Sequence, residues 1–556
     1  MNKFFSKIGQ AITGRKGIGN TMTVAIIIAV VMLNILAYTV TSVFGLYLYE
    51  KDEEQYTISG NTDAIFESAI ELGKKVKITF CYTEDSLKKH DTGKLVLDTA
   101  RAFEERYPEF IELSFINLLT KMNEDDEIVD FREYSNVVCK KADSLSGVKC
   151  NETMRFVDLN KDAPRCLKCG AAIDVNEDVV YDFAQSSVIF ETGTKGTSSY
   201  NYRVLTDRYT SAGFVDFYIL NSSSNIVSYN GEEVMAAMIS WVLNNNHKTV
   251  YLTQNHGETA DVALSNLLTC AGYYVDVINL RRDEIPADAG MVIISNPTAD
   301  FERAPADSTS RLEIEKLDAY LSGGGKVYVA FDPYVKNLPN LEALLETWGI
   351  EISGDANDSG VYVRDIVKES AMAITPDGYT FIATYADGAV ADEIYGKLSA
   401  TGTDKVLMSN VAKLNISSEN EKLATVNPIL VSGPTSSTYA GGNATDTAGN
   451  YVVAAAATKT VGDKEATLFV LPTAYITATD AFISESYSNK DFLFSVYETL
   501  FDANPAPYGC NQILYDTQIL ENLTMGRAKL YTALILAIPA SLMVVGTVII
   551  IKRKNR

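Results

Sequence analysis

Three histidines occur in the chain, His90, His247 and His256, and only His256 has neighbours that could share chemistry with it. It opens the run His256-Gly257-Glu258, directly after the apolar stretch Lys248-Thr-Val-Tyr-Leu-Thr253 and its Gln254-Asn255 extension. Two more apolar stretches end in polar turns: Met291–Ile294 before Ser295-Asn296-Pro297, and Lys326–Phe331 before Asp332-Pro333. Open α/β sheets hold ligands in the crevice at the carboxyl ends of their strands. His256, Glu258, Asn296 and Asp332 are therefore the candidate residues for contact with a ligand or partner. The chemistry they offer is narrow. A hydrolase needs a nucleophile with a base and an orienting group within reach, and the turn after Met291–Ile294 offers only Ser295. No G-x-S-x-G motif and no cysteine elbow occurs. The chain is read as a non-enzyme with no catalytic residue and no cofactor. A plainer role exists for the same residues: Gly257 makes a tight turn, Glu258 caps the next helix, His256 bonds a nearby carbonyl, and Asp332 forms a turn before Pro333.

Four of the seven cysteines cluster at Cys139, Cys150, Cys166 and Cys169. Cys166-Leu-Lys-Cys169 has a spacing that suits tetrahedral metal ligation or a redox pair. Ten residues separate Cys139 from Cys150, which does not meet the paired-knuckle zinc pattern. An oxidising compartment favours disulfides among the four, stapling a loop-rich insertion; structural zinc and free thiols are the alternatives. Cys81, Cys270 and Cys510 stand alone and read as buried thiols.

The compartment follows from the two ends of the chain. Met22–Leu48 and Leu530–Ile551 are uncharged, and each is long enough to cross a ~30 Å hydrocarbon core as a helix. The first lacks the A-x-A cleavage pattern of a signal peptide. Residues 1–21 carry Lys3, Lys7, Arg15 and Lys16 without an acid, and 552–556 are almost wholly basic. Bases retained inside place both tails in the cytoplasm. The expectation is a plasma-membrane protein with residues 49–529 extracytoplasmic. The formal charge is −23; setting aside four bases in each tail leaves 40 bases against 71 acids, near −31. Such a field repels nucleic acid and anionic lipid, which excludes nucleic-acid partners.

Between the ends, Lys75–Tyr82, a helical pattern through Val96, Ala100, Phe103 and Tyr107, and Ile111–Ile116 read as a βαβ unit. A first α/β domain is expected over 49–225, with the cysteine-bearing insertion at about 122–180. A second runs over 226–525. It opens with a helix led by Glu232 and Glu233, continues through strands at 248–253, 274–278, 291–294 and 326–331, and carries a β- and loop-rich insertion at about 355–450. Gly323-Gly-Gly325 precedes a strand and reads as a helix cap. No G-x-x-x-x-G-K-[S/T] occurs, so no ATPase is expected. The fold class is an α/β region of flavodoxin- or amidotransferase-like parallel sheets, in two domains, between two transmembrane helices.

The chain resembles the GldG-type auxiliary components of ABC transport systems, first associated with bacterial gliding. The likeness rests on Val-Tyr-Leu-Thr253 with His256-Gly257-Glu258, Leu317 through Asp332-Pro333, Leu344-Leu-Glu-Thr-Trp-Gly349-Ile350, and Tyr487-Ser-Asn489-Lys-Asp491-Phe492. It covers 226–350 well and 56–120 loosely. It departs at Asn255, where the family tends to have glycine, and in the cysteine-bearing insertion. The resemblance implies an accessory subunit partnered by an ABC permease and, through it, an ABC ATPase. The alternatives are an extracytoplasmic ligand or glycan sensor and, third, an amidotransferase-like hydrolase.

Overall fold

The structure, a computed structural model, describes residues 57–515 and Met32, apart from internal stretches of which 140–152, 206–213 and 354–360 are the longest. Helix α1 (Asp63–Glu71), strand β1 (Val76–Phe80), helix α2 (Gly93–Arg106) and strand β2 (Ile111–Asn117) begin the chain's folded part. β1 and β2 pair in parallel, as a helical crossover between neighbouring strands dictates. Strand β3 (Val188–Thr192) then adds antiparallel to β1, and β4 (Asn201–Leu205) antiparallel to β3. With Met122–Asn123 on the other edge, the first sheet is five-stranded and mixed. Within the expected insertion, short strands at 136–138, 153–155 and 179–180 form a separate antiparallel sheet. Cys139 and Cys166 are buried there in one cluster with Val137, Met154, Leu159 and Ile173, while Cys150 and Cys169 lie outside the described residues.

Helix α3 (Gly231–Leu243) is buried along almost its whole length, which requires apolar cover on every side. Met235, Met238, Ile239 and Trp241 share a core with Val76, Phe80 and Phe190 of the first sheet. This helix thus completes the first core, although its sequence leads into the second set of strands.

The large sheet holds strands β5 (Thr249–Thr253), β6 (Tyr274–Ile278), β7 (Ala289–Ser295) and β8 (Lys326–Ala330), linked by helices α4 (Val262–Cys270) and α5 (Glu313–Ser322). Their order is β6-β5-β7-β8, all parallel. Helix α5 ends at Gly323-Gly-Gly325, where Gly324 takes φ 84° and the Gly325 N–H reaches the Tyr320 carbonyl at 2.9 Å. A left-handed residue closing the last turn is the usual glycine stop. Helix α6 (Pro339–Thr347) follows, and later come strands β9 (Thr380–Tyr385), helix α7 (Ala389–Ser399), β10 (Val406–Ser409), β11 (Thr425–Val431), β12 (Val452–Val461), β13 (Lys464–Leu471) and helix α8 (Asn489–Phe501). β13 pairs parallel to β8 and antiparallel to β12. Beyond β12 the sheet runs on through β11, β9 and β10, each pair antiparallel.

The expected parallel sheets are therefore corrected to mixed ones. The physical reason is connection length. Only Gly462 and Asp463 lie between β12 and β13, and a two-residue turn can join only antiparallel neighbours. The segment 380–431 supplies strands to this same sheet. The sheet is covered on both faces. Met291, Ile293, Phe469, Ala454 and Ala456 pack with α4 and α8, while Val292, Ile294, Leu468, Ala455 and Ala457 pack with α5 and α6.

The two-anchor architecture is corrected as well. Among the described residues no helix is long and apolar enough to cross a membrane. The longest of them, α2, has 14 residues against the ~20 that a bilayer span requires. The segments 22–48 and 530–551 lie outside the described residues. The fold is a mixed α/β one with large sheets, and the structure gives no support to flanking transmembrane helices or to the plasma-membrane placement drawn from them.

Helix α8 is fastened to the far side of the sheet by one side chain. Asn489 is fully buried; its Oδ1 accepts the Leu407 N–H at 2.8 Å, and its Nδ2 donates to the Leu407 carbonyl at 2.8 Å and to that of Ile476 at 3.4 Å. Asn489→Ala leaves buried groups of β10 unpaired, each costing ~1–3 kcal/mol. The expected result is a loss of about 2–3 kcal/mol, read as a lower urea midpoint. An unchanged midpoint would show that this bridge contributes nothing.

Candidate functional site

β5, β7 and β8 are adjacent and parallel, so the three turns bearing the candidate residues meet at one end of the sheet. They are stitched by backbone bonds. The Asn296 N–H donates to the Ala330 carbonyl at 2.7 Å, and Asn296 Oδ1 accepts the Asp332 N–H at 3.1 Å. The N–H groups of Thr298 and Ala299 donate to the His256 carbonyl at 2.7 and 2.8 Å. These turns need left-handed backbone. Asn255 takes φ 84° and Asn296 φ 54°, conformations that asparagine tolerates best among non-glycine residues. Asn255 thus holds a backbone conformation that glycine adopts most readily. Gly257 has φ 81°, and a Cβ there would sit 1.8 Å from Thr298 Oγ1; the tight turn expected of it is present.

His256 is fully buried. Its Nδ1 lies 3.2 Å from Glu258 Oε1, and its Nε2 lies 3.0 Å from both Glu313 oxygens. Phe301 stacks on the ring with centroids 3.8 Å apart. Glu258 also accepts the His256 N–H at 2.6 Å and the Thr253 hydroxyl at 2.8 Å, and Glu313 accepts the Glu302 N–H at 2.7 Å. Arg281 Nε stands 3.8 Å from Glu313. The arrangement is an imidazole ring held between two carboxylates. Burial works against the charged ring, but the hydrogen bonds and charges of Glu258 and Glu313 outweigh it and raise the His256 pKa above its ordinary value. Burial likewise opposes the Glu258 charge, yet its bonds from His256 and Thr253 bring its pKa below the usual carboxylate value.

Two expectations change here. The cap of helix α4 is Asp261, whose side chain accepts the Leu264 N–H at 2.9 Å; Glu258 instead turns back to His256. His256 bonds carboxylates, where a carbonyl was expected. Glu313 escaped the sequence reading because an acid in the first turn of a helix is already explained by the helix dipole. The one hint was that Glu313 and Glu315 both lie there. Asp300 also went unnoticed: it accepts the N–H groups of Asn340 and Leu341 at 2.9 and 3.2 Å, capping α6. Thr298, Ala299, Phe301 and Glu313 of the chain itself thus close over the turn at His256. No group of three or more His, Cys, Asp or Glu side chains is placed to hold a metal among the described residues.

No family model matches the chain, and no curated protein does. Among solved structures it is similar to the N-terminal domain of mmIFT52 at 16% identity, covering 46% of this chain and 97% of that one with a TM-score of 0.33. A ThuA-like protein from Bacteroides uniformis is 11% identical, over 47% of this chain and 94% of that one, TM-score 0.28. PurLQS from Thermotoga maritima is 8% identical, over 46% and 100%, TM-score 0.26. At these scores the likenesses carry no argument.

The His256 cluster gives stability a definite pH dependence. A raised histidine pKa contributes stability that is full below the ordinary value of about 6.5 and lost as pH rises through the folded value. The lowered Glu258 pKa contributes stability that is lost as pH falls below about 4.5. His256→Gln should therefore destabilise the protein more at pH 6 than at pH 9, as measured by urea unfolding at both. An equal loss at the two values would mean that the ring is neutral in the folded protein.

Proposed function

We propose that the chain is a non-catalytic accessory subunit of an ABC-type transport system, working by contact with a permease, and through it an ABC ATPase, or with the transported substrate. One observation carries the non-catalytic half. A general base needs a free lone pair within reach of a substrate proton, whereas both ring nitrogens of His256 face carboxylates and the ring is sealed under Phe301. The transport half draws on the resemblance of His256-Gly257-Glu258, of the Leu317–Pro333 run and of the Tyr487–Phe492 run to the GldG-type family. Here the described residues among them make turns, a helix stop and docking contacts on which an α/β scaffold is built, as a subunit that works by contact requires.

Affinity purification of the tagged full-length chain from detergent-solubilised cells should recover a polytopic permease and an ABC ATPase at a fixed ratio. A chain that elutes alone would count against the reading. Ser295→Ala should leave transport unchanged. His256→Ala strands two buried carboxylates, a change that costs roughly 3–5 kcal/mol, so its phenotype should follow the amount of folded protein. Loss of function at normal folded levels in both variants would instead point to a nucleophile–base pair.

A further inference from the structure

A second cluster of buried charge lies far along the chain from the strand-end turns, where the first turns of α3 and α8 face the 509–512 segment across a cavity of about 280 Å3. Its walls include Glu233, Ser488, Lys490, Asp491, Cys510 and Gln512. The 509–512 wall is fixed. The Asn511 N–H donates to Glu232 Oε2 at 3.0 Å, and Asn61 Nδ2 donates to the Gly509 carbonyl at 2.9 Å.

The charges do not balance. Lys490 forms an ion pair with Glu233, which neutralises both. Burial opposes the Lys490 charge, but Glu233 and Asp491 outweigh it and raise its pKa, so it stays protonated. Burial and the nearby Glu232 and Glu233 raise the Cys510 thiol well above its ordinary value, so it is neutral. Asp491 remains. It is 8% exposed, and among the described residues it accepts one hydrogen bond, from the Gly509 N–H at 3.4 Å. Burial pushes its carboxyl up to about 6, with Lys490 pulling the other way. A carboxylate so placed is short of donors.

Two further acceptors are left open in the lining of the same cavity. Ser488 is 4% exposed and occupies the N-cap position of α8, yet it makes no cap bond, and its buried Oγ has no partner. A serine there ordinarily bonds the second or third N–H of its helix. Gln512 donates through Nε2 to the Ile483 carbonyl at 3.0 Å, while its buried Oε1 has no partner. Unpaired buried polar atoms are rare because each costs ~1–3 kcal/mol. Others occur among the described residues, the Tyr328 and Tyr497 hydroxyls for example; these two are set apart because they line one cavity beside a donor-poor carboxylate, a place built to be filled.

We propose that this cavity binds a small primary amine in its ammonium form, held by Asp491, Ser488 Oγ and Gln512 Oε1. An ammonium has three N–H donors and one positive charge, which matches three acceptors and a cluster in which Glu233 and Asp491 outnumber Lys490. A metal ion fits less well: no group of three or more ligating side chains is placed for one among the described residues. Lys490 does not repel the guest, because Glu233 already holds its charge. The proposal stands apart from the transport reading and uses none of the strand-end residues.

Titration calorimetry of the full chain with n-butylammonium chloride tests it, with sodium butyrate as control. The expected result is one saturable site for the amine and none for butyrate. Asp491→Asn, which keeps the shape and removes the charge, should weaken binding about tenfold or more. Ser488→Ala should weaken it several-fold and, removing only an unpaired hydroxyl, is the variant to read if Asp491→Asn does not fold. Absence of saturable binding to the wild-type chain would overturn the proposal. So would equal binding by wild type and both variants, which would reveal only a diffuse attraction to an acidic protein.

Discussion

The large sheet depends on burying β13 on both faces while pairing it in two senses. Its edge toward β8 takes a parallel ladder and its edge toward β12 an antiparallel one, so the strand joins two halves built by different connection rules. Such a junction works only if both faces stay dry, because a central strand has no exposed edge at which irregularity can be hydrated. Leu468 and Val470 supply one face, and Phe469 and Leu471 the other. The neighbouring alanines do the rest. Ala454 and Ala456 point to one face, Ala455 and Ala457 to the other, and their small side chains let helices approach both sides of the sheet closely. Alanine prefers helix by intrinsic propensity. Here the two ladders and the two apolar covers override it, and the run is the interior of a ten-residue strand.

Two buried charge clusters sit on this frame and differ in how completely they are satisfied. Around His256 every partner is drawn from the chain: two carboxylates, a threonine hydroxyl and backbone N–H groups surround one ring. A fully satisfied network in a low-dielectric interior is rigid and specifies one arrangement. Around Asp491 the supply falls short. Lys490 is spent on Glu233, Ser488 does not cap, and the Gln512 carbonyl is open. The same physics that makes the first cluster a brace makes the second a receptacle, since a shortfall of donors is relieved only by something that brings them.

The two halves of the problem were unequally legible. Strands β5 to β8 and the glycine stop after α5 follow from local pattern, because apolar runs of five to seven residues bounded by turn formers leave few alternatives. The adjacency of β5, β7 and β8 does not. Crossover order admits several arrangements, and only packing decides that His256, Asn296 and Asp332 share one end of the sheet. Glu313 was hidden because its partner is 57 residues away. Within the β- and loop-rich stretch at about 355–450, the strands at 380–385, 406–409 and 425–431 join the large sheet, stabilised by neighbours rather than by their own composition. Helix α3 misled in the opposite sense. Its sequence leads into β5, but its all-round apolar surface is claimed by the first sheet.

Motif density and functional chemistry also separate here, and the backbone explains why. The residues carrying the family resemblance are those whose conformation or contacts leave little choice: Gly257 at positive φ, Gly324 in the left-handed helix stop, and Asn489 bridging the Leu407 and Ile476 carbonyls. A substitution at any of them is felt by the fold before it is felt by a ligand. Ser488 and Gln512 have the reverse character. Among the described residues nothing pairs with the Ser488 hydroxyl or the Gln512 carbonyl oxygen, so the scaffold would tolerate their loss, and their presence is better explained by what enters the cavity. An unpaired buried polar atom points to a ligand where it borders a cavity beside a donor-poor carboxylate, as here, and not by itself: the Tyr328 hydroxyl is just as buried and unpaired inside the sheet core.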